Sequence, residues 1–240
     1  MIRAFCVLCV LGVGLAAPAS AGQFSVTPVH IHMTPADRAV AVTITNEGNE
    51  ELVMQADLYL WKQKPDGQDD LTLTEDLFLS PPIIKLAPNA RQVVRLARQS
   101  RARPSEQLTY RLIVREIPEA RPSSGGLQLQ IALAFSLPVF ITPPGVRSKL
   151  ECKVERAAPD TVKAVCENSG NAHARATSLQ LNNSAGEVLA GDDVGAYILQ
   201  GVTRSFELKR KDGKIPAGIA VLGVSFADGT TQKYEVSIAD

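Results

Sequence analysis

The chain has 240 residues, with 25 Lys and Arg against 25 Asp and Glu and three histidines. That balance excludes a nucleic-acid ligand, whose backbone is held by clustered cations, and a polybasic membrane-binding patch. The length suits one large or two ordinary domains, and Val, Ile and Leu are plentiful enough to build real cores.

The first segment sets the compartment. Arg3 gives a short positive region, Ala4 to Ala17 is an apolar run, and Pro18-Ala19-Ser20-Ala21 has the small-x-small pattern of a cleavage site. The apolar run is shorter than the roughly 20 residues of a spanning helix. Residues 1–21 are therefore expected to be a signal peptide. The mature chain should start at Gly22, carry 24 positive against 25 negative side chains, and be soluble outside the cytoplasm without membrane insertion. Cys6 and Cys9 would leave with the leader. Cys152 and Cys166 remain, an even pair in an oxidising compartment, and are expected to form one disulfide. A metal or redox pair is the competing reading, disfavoured by a spacing far from C-x-x-C.

From Gln23 onward helical periodicity is scarce and alternation common. Strands are predicted at Gln23 to Ile31, Ala39 to Thr45, Val53 to Trp61, Gln92 to Leu96, Leu108 to Arg115 and Leu127 to Ile141. Turn formers separate several of them, including Asn46-Glu47-Gly48-Asn49 and Lys64-Pro65-Asp66-Gly67. Thr142-Pro143-Pro144-Gly145 breaks the series, because proline cannot continue a ladder and stiffens a linker. A second series follows: Leu150 to Glu155, Thr161 to Glu167, Ala174 to Leu181, Val194 to Leu199, Ser205 to Leu208, Ile219 to Phe226 and Thr231 to Ile238. The expected fold is all-β, two antiparallel β-sandwiches, one over residues 22–142 and one over 143–240.

Several motifs together carry a resemblance. They are Tyr110-Arg111-Leu112-Ile113-Val114-Arg115-Glu116-Ile117-Pro118, Leu129-Gln130-Ile131-Ala132-Leu133, Ser136-Leu137-Pro138-Val139-Phe140 and Leu86-Ala87-Pro88 with Val93-Val94-Arg95-Leu96. Val26-Thr27-Pro28-Val29 and Glu167-Asn168-Ser169-Gly170-Asn171 add to them. The mature chain resembles periplasmic pilus-assembly chaperones of the chaperone–usher pathway, the PapD-like proteins, and within them the archaic branch that serves spore-coat-U-type subunits. The resemblance implies that the two sandwiches are immunoglobulin-like domains arranged around a cleft, with fimbrial subunits and an outer-membrane usher as partners. It also implies that a G1 strand is lent to a subunit that lacks one. The family is a standard example of such strand addition.

The physics of that role selects one segment. A subunit lacking a strand exposes an apolar groove and unpaired backbone groups, and only every second residue of a donor faces the groove. In Leu127 to Phe135, Leu127, Leu129, Ile131, Leu133 and Phe135 share one face. At about 1.5–3 kcal/mol for each large side chain fully buried, three or four supply most of a useful affinity. The competing reading is an ordinary strand lining its own core. The loop Ala120 to Gly126 before it and a length above the mean strand favour the donor.

Register in such a complex needs an anchor for the subunit's C-terminal carboxylate, since a slip of one residue turns the apolar face away. The family's usual Arg and Lys fall at His30 and Pro138 in this sequence, so the usual anchor does not carry over. Arg111 is the substitute candidate, because guanidinium grips carboxylate with two parallel bonds, with Arg115 as backup and His30 as an added donor. Equally, Arg111 and Arg115 can be face charges or partners of Glu116 and Asp57.

His30-x-His32 is a weak metal pair without a third ligand nearby, so no metal or other cofactor is expected. Trp61 beside Tyr59 would carry a sugar in an alternative adhesin-like or carbohydrate-binding module, or else fill a core. The sequence lacks G-x-S-x-G, H-E-x-x-H and a phosphate-cradling glycine loop, and no enzyme activity is expected.

Overall fold

A computed structural model describes residues 23–64, 66–100, 102–118 and 131–239. Residues 24–141 supply ten strands: β1 (Phe24–Thr27), β2 (Ile31–Met33), β3 (Ala39–Asn46), β4 (Leu52–Gln63), β5 (Asp69–Leu73), β6 (Leu77–Ser80), β7 (Ile83–Leu86), β8 (Arg91–Arg98), β9 (Leu108–Glu116) and β10 (Ala134–Ile141). One sheet runs β1-β3-β8-β6. The other runs β2-β10-β9-β4-β5, with β7 also paired to β4. Alternate side chains of the two sheets meet in one core that includes Ile44, Met54, Leu96, Leu112, Val114 and Val139.

The first predicted strand is in fact two. Gln23 to Ile31 was expected as one run, but β1 pairs antiparallel with β3 while β2 pairs parallel with β10. Pro28 cannot donate to a ladder, and the chain crosses between the sheets there. Alternation cannot report this, because both pieces keep an inward face. Three strands went unpredicted: β5, whose five residues are all exposed, and the short β6 and β7 between prolines.

Residues 150–238 supply β11 (Leu150–Ala158), β12 (Thr161–Asn168), β13 (Ala174–Asn183), β14 (Val188–Ile198), β15 (Thr203–Lys209), β16 (Gly218–Phe226) and β17 (Thr231–Ile238). They form sheets β11-β12-β15 and β14-β13-β16-β17. Cys152 and Cys166 are directly opposed across β11 and β12 and are bonded at 2.06 Å. The second core holds Val162, Ala164, Leu181, Leu208, Leu222 and Val224, and it continues into Trp61 and Phe140 of the first half. Apolar packing is thus continuous where the two sandwiches meet.

Candidate functional site

β10 continues the candidate donor segment, and its two edges differ. Glu116 N donates to Leu133 O at 2.9 Å, and Thr142 N donates to Met33 O at 2.8 Å. In an antiparallel pair, successive residues turn their backbone groups to opposite sides, so odd-numbered residues here face β9 and even-numbered ones face away. β2 covers that far side only along Val139–Ile141. From Ala134 to Pro138 no strand lies on it among the described residues. Ala134 and Ser136 turn N–H and C=O groups toward this open edge, and Pro138 has no N–H to turn.

Side chains follow the same parity. Leu137, Val139 and Ile141 are buried in the first core, and Phe135 packs at its end, edge-on to Phe24 at 4.9 Å between ring centroids. Leu133 and Ile131 continue that parity but are 36% and 46% exposed. Among the described residues regular strand begins at Ala134, with 131–133 outside it; the expected start at Leu127 falls on residues that are not described, Leu127 and Leu129 among them. Of the five named side chains, Phe135 is engaged with its own domain. Ile131 and Leu133 present an inward-type face past the end of the core that would cover it.

The anchor candidates stand on the opposite face of this sheet. Arg111 pairs in register with Pro138 on one side and Tyr59 on the other. Directly opposed residues share a face, so its guanidinium projects from the same face as the position where the family's Lys would stand. Its side chain is only 13% exposed. It lies 3.7 Å over the Trp61 ring and 3.4 Å from Asp69 Oδ2, and its Nε has no hydrogen-bond partner. Burial holds its pKa below the usual arginine value, with Asp69 acting the other way. Arg115 is committed to Asp57 Oδ2 at 2.8 Å and the Tyr59 hydroxyl at 3.0 Å, the partner that sequence reasoning held open.

His30 lies one residue before β2, in line with Pro138. Its Nε2 is 2.8 Å from Arg175 Nη1 of the second sandwich. A guanidinium only donates, so Nε2 accepts and this imidazole is neutral. Burial, then the charges of Arg175, His32 and Arg111, hold its pKa below the usual histidine value.

The second sandwich closes a cleft over this face. His30, His32 and Phe140 from one half and His173, Arg175, Tyr197 and Asp228 from the other line a cavity of about 490 Å³. The His173 ring stacks on Phe140 at 3.9 Å, with His32 stacked on Phe140 at 5.5 Å. Tyr197 stands edge-on to Trp61 at 5.2 Å and has the Arg111 and Arg175 guanidiniums 5.6 and 5.3 Å from its ring centre. Sequence reasoning missed Phe140, His173, Arg175 and Tyr197 as members of one site. Only the His30-x-His32 pair gave a linear signal. Trp61 is 1% exposed beneath Arg111, so it fills a core and offers no open ring face to the sugar of the alternative reading. Among the described residues no group of three or more His, Cys, Asp or Glu is placed to hold a metal ion.

Residues 23–147 match the family described as pili and flagellar-assembly chaperone, PapD N-terminal domain. Solved structures share the fold over nearly the whole chain. A chain of the CsuC–CsuE chaperone–tip adhesion subunit pre-assembly complex, from archaic chaperone–usher Csu pili of Acinetobacter baumannii, is 19% identical with a TM-score of 0.65. That match covers 91% of this chain and 100% of the other. The E. coli chaperone DraB is 18% identical with a TM-score of 0.56, covering 92% and 99%. A chain of the Salmonella enterica SafA pilin–SafB chaperone complex is 13% identical with a TM-score of 0.58, covering 89% and 96%. No curated protein matched.

Proposed function

The chain belongs to the PapD-like pili and flagellar-assembly chaperones, and from that membership we propose how this pilus-assembly chaperone holds its subunit. The segment Leu127 to Leu133 extends β10 into the groove of a subunit that lacks a strand. Leu127, Leu129, Ile131 and Leu133 fill that groove, and Phe135 marks where the strand leaves its own core. The single observation that carries this reading is the exposure of Ile131 and Leu133 on the inward-type parity of a strand whose far edge is open. An apolar, uncharged open edge is an aggregation template unless a partner takes it.

The subunit's C-terminal carboxylate is held at Arg111 in the cleft. Three features support that position: the shared face with Pro138, the unpartnered Nε, and a bond to Asp69 that is long for a charged pair and open to exchange. Arg115 also has an unpartnered Nε, but it is the poorer anchor because its Nη2 is held at 2.8 Å by Asp57 Oδ2 and at 3.0 Å by the Tyr59 hydroxyl. The division of labour places donor and anchor within residues 22–142, with residues 143–240 walling the cleft. The work takes place in the periplasm after removal of residues 1–21, on spore-coat-U-type subunits that pass to an outer-membrane usher.

Co-expression with such a subunit tests this. The chaperone should raise the subunit's soluble yield and co-purify with it one to one. Leu133→Asp should abolish co-purification and Arg111→Ala should reduce it at least tenfold, with thermal unfolding of the free chaperone unchanged in the first case. Undiminished subunit recovery by Leu133→Asp would remove the donor assignment, and full recovery by Arg111→Ala the anchor.

A further inference from the structure

Apolar packing between two sandwiches is non-directional, so the rings of Trp61, Phe140 and Tyr197 can glue the halves without fixing their angle. Directional bonds in a dry interface do fix an angle. Two glutamines of the first sandwich make such bonds to the second, at the end of β14 and in the turns beside it. Gln63, the last residue of β4, donates from Nε2 to Tyr197 O at 3.2 Å and accepts at Oε1 from Leu199 N at 3.0 Å.

Gln107, just before β9, is more deeply engaged and only 3% exposed. Its backbone N–H donates to Asn171 O at 2.9 Å, and its carbonyl accepts from Gln200 Nε2 at 2.8 Å. Its side-chain Nε2 donates to Thr142 Oγ1 at 2.7 Å, where the chain leaves β10. Oε1 accepts from His173 N at 3.0 Å and lies 2.7 Å from His173 Nδ1. The backbone N–H fixes the amide oxygen on that side, and an amide oxygen only accepts, so Nδ1 carries the proton. One buried side chain therefore ties the start of the inter-sandwich connection to the turn between β12 and β13. That turn also presents the ring stacked on Phe140.

We propose that Gln107 is a positioning residue whose amide, clasped between His173 and Thr142, sets the angle between the two sandwiches and with it the shape of the cleft. This rests on the cleft being the subunit's seat. Any other angle that separates Gln107 from His173 leaves the buried Gln107 amide oxygen without its donors, and such a group costs more unpaired than the bond itself contributes. The clasp joins Thr142, at the end of β10, to the wall opposite Arg111. A change of angle therefore alters the distance between the donor strand's root and Arg175, Tyr197 and His173.

Residual dipolar couplings on the full mature chain read the inter-sandwich angle directly, and co-purification of a co-expressed spore-coat-U-type subunit reads capture. Gln107→Met keeps volume and deletes all three side-chain amide bonds, to Thr142 Oγ1, His173 N and His173 Nδ1, while His173→Phe keeps the ring on Phe140 and deletes one donor. Both should rotate the sandwiches and lower subunit capture about tenfold. The double variant should be no worse than Gln107→Met alone, since the two substitutions break a shared bond. Gln107→Glu retains the acceptor and should recover part of the angle. If Gln107→Met does not fold, Thr142→Val removes a single bond and should give a smaller rotation in the same direction. An unchanged angle, additive effects in the double variant, or a rotated chain that captures subunit as well as wild type would each overturn the proposal. A wild-type chain that retains no subunit would instead sink the functional reading, leaving the angle measurement to judge the clasp.

Discussion

The two sandwiches close their sheets with the same device and treat their edges in opposite ways. Each ends an early strand on a fully buried asparagine followed by an x-Gly turn. Asn46 Nδ2 donates to Glu50 O, Leu86 O and Ala87 O, and Oδ1 accepts from Gly48 N. Asn168 Nδ2 donates to Ala172 O and Ile198 O, and Oδ1 accepts from Lys149 N and Gly170 N. A buried amide with its bonds filled specifies one chain path rather than a family of them. The second sandwich then guards its β11 edge with charge: Lys149 pairs Glu151 at 2.9 Å, and Lys153 pairs Glu155 at 2.7 Å. The first leaves Ala134, Ser136 and Pro138 along an open edge, with bare Ile131 and Leu133 beyond. Charge on an edge prevents strand addition. The described strand β10 carries no charge along Ala134–Pro138, as the donor role proposed for it requires.

The sharpest way to break that contrast is to shorten one leucine in each half. Leu222 is fully buried in the second core, and Leu222→Ala should cost about 4 kcal/mol of unfolding free energy as a cavity opens. Leu133→Ala, at an exposed position, should leave chemical denaturation within about 0.5 kcal/mol of wild type while weakening subunit capture. Equal losses of stability would erase the distinction.

Acid probes the join between the halves. Burial, then the charges of His32, Arg175 and His30, lowers the His173 pKa from 6.5 to about 4. The folded chain therefore binds fewer protons than the unfolded chain between those values, and stability falls as pH drops. The full contribution is present above pH 6.5. About 3 kcal/mol is lost by roughly pH 4, with no further change from this group below it. Denaturation at stepped pH values checks this, and His173→Phe should flatten the slope.

A smaller effect comes from the disulfide, the second sandwich's own staple. Cys152 and Cys166 are 14 residues apart, and in the chain-entropy model a loop of that size is worth about 3 kcal/mol at most. Cys152→Ala with Cys166→Ala should lower the stability of the second sandwich by that amount or less and leave the dipolar couplings of the first unchanged.

The legible part of this fold was local. Alternation located the strands of the second half to within a few residues at most ends, because each is bounded by an explicit turn such as Asn168-Ser169-Gly170 or Ala227-Asp228-Gly229. The same rule merged β1 with β2, since a crossover between sheets preserves alternation, and it missed β5, which buries nothing. At the site, the parity of Ile131, Leu133 and Phe135 was readable. Which of them the core takes was not, because that depends on where Phe24 and the end of β9 stop.

The sequence by itself determined an all-β chain in two series of strands, the pairing of Cys152 with Cys166 on successive strands, and an alternating apolar segment after a glycine-serine loop. Those are properties of neighbours along the backbone, where side-chain direction repeats every second residue. Only the tertiary structure decided that no strand among the described residues pairs with the far side of β10 along Ala134–Pro138, that Arg111 stands beside Pro138 over Trp61, and that Gln107 meets His173. These partners are dozens of residues apart, and what brings them together is sheet register and the burial of a shared apolar seam, neither of which is written in local spacing.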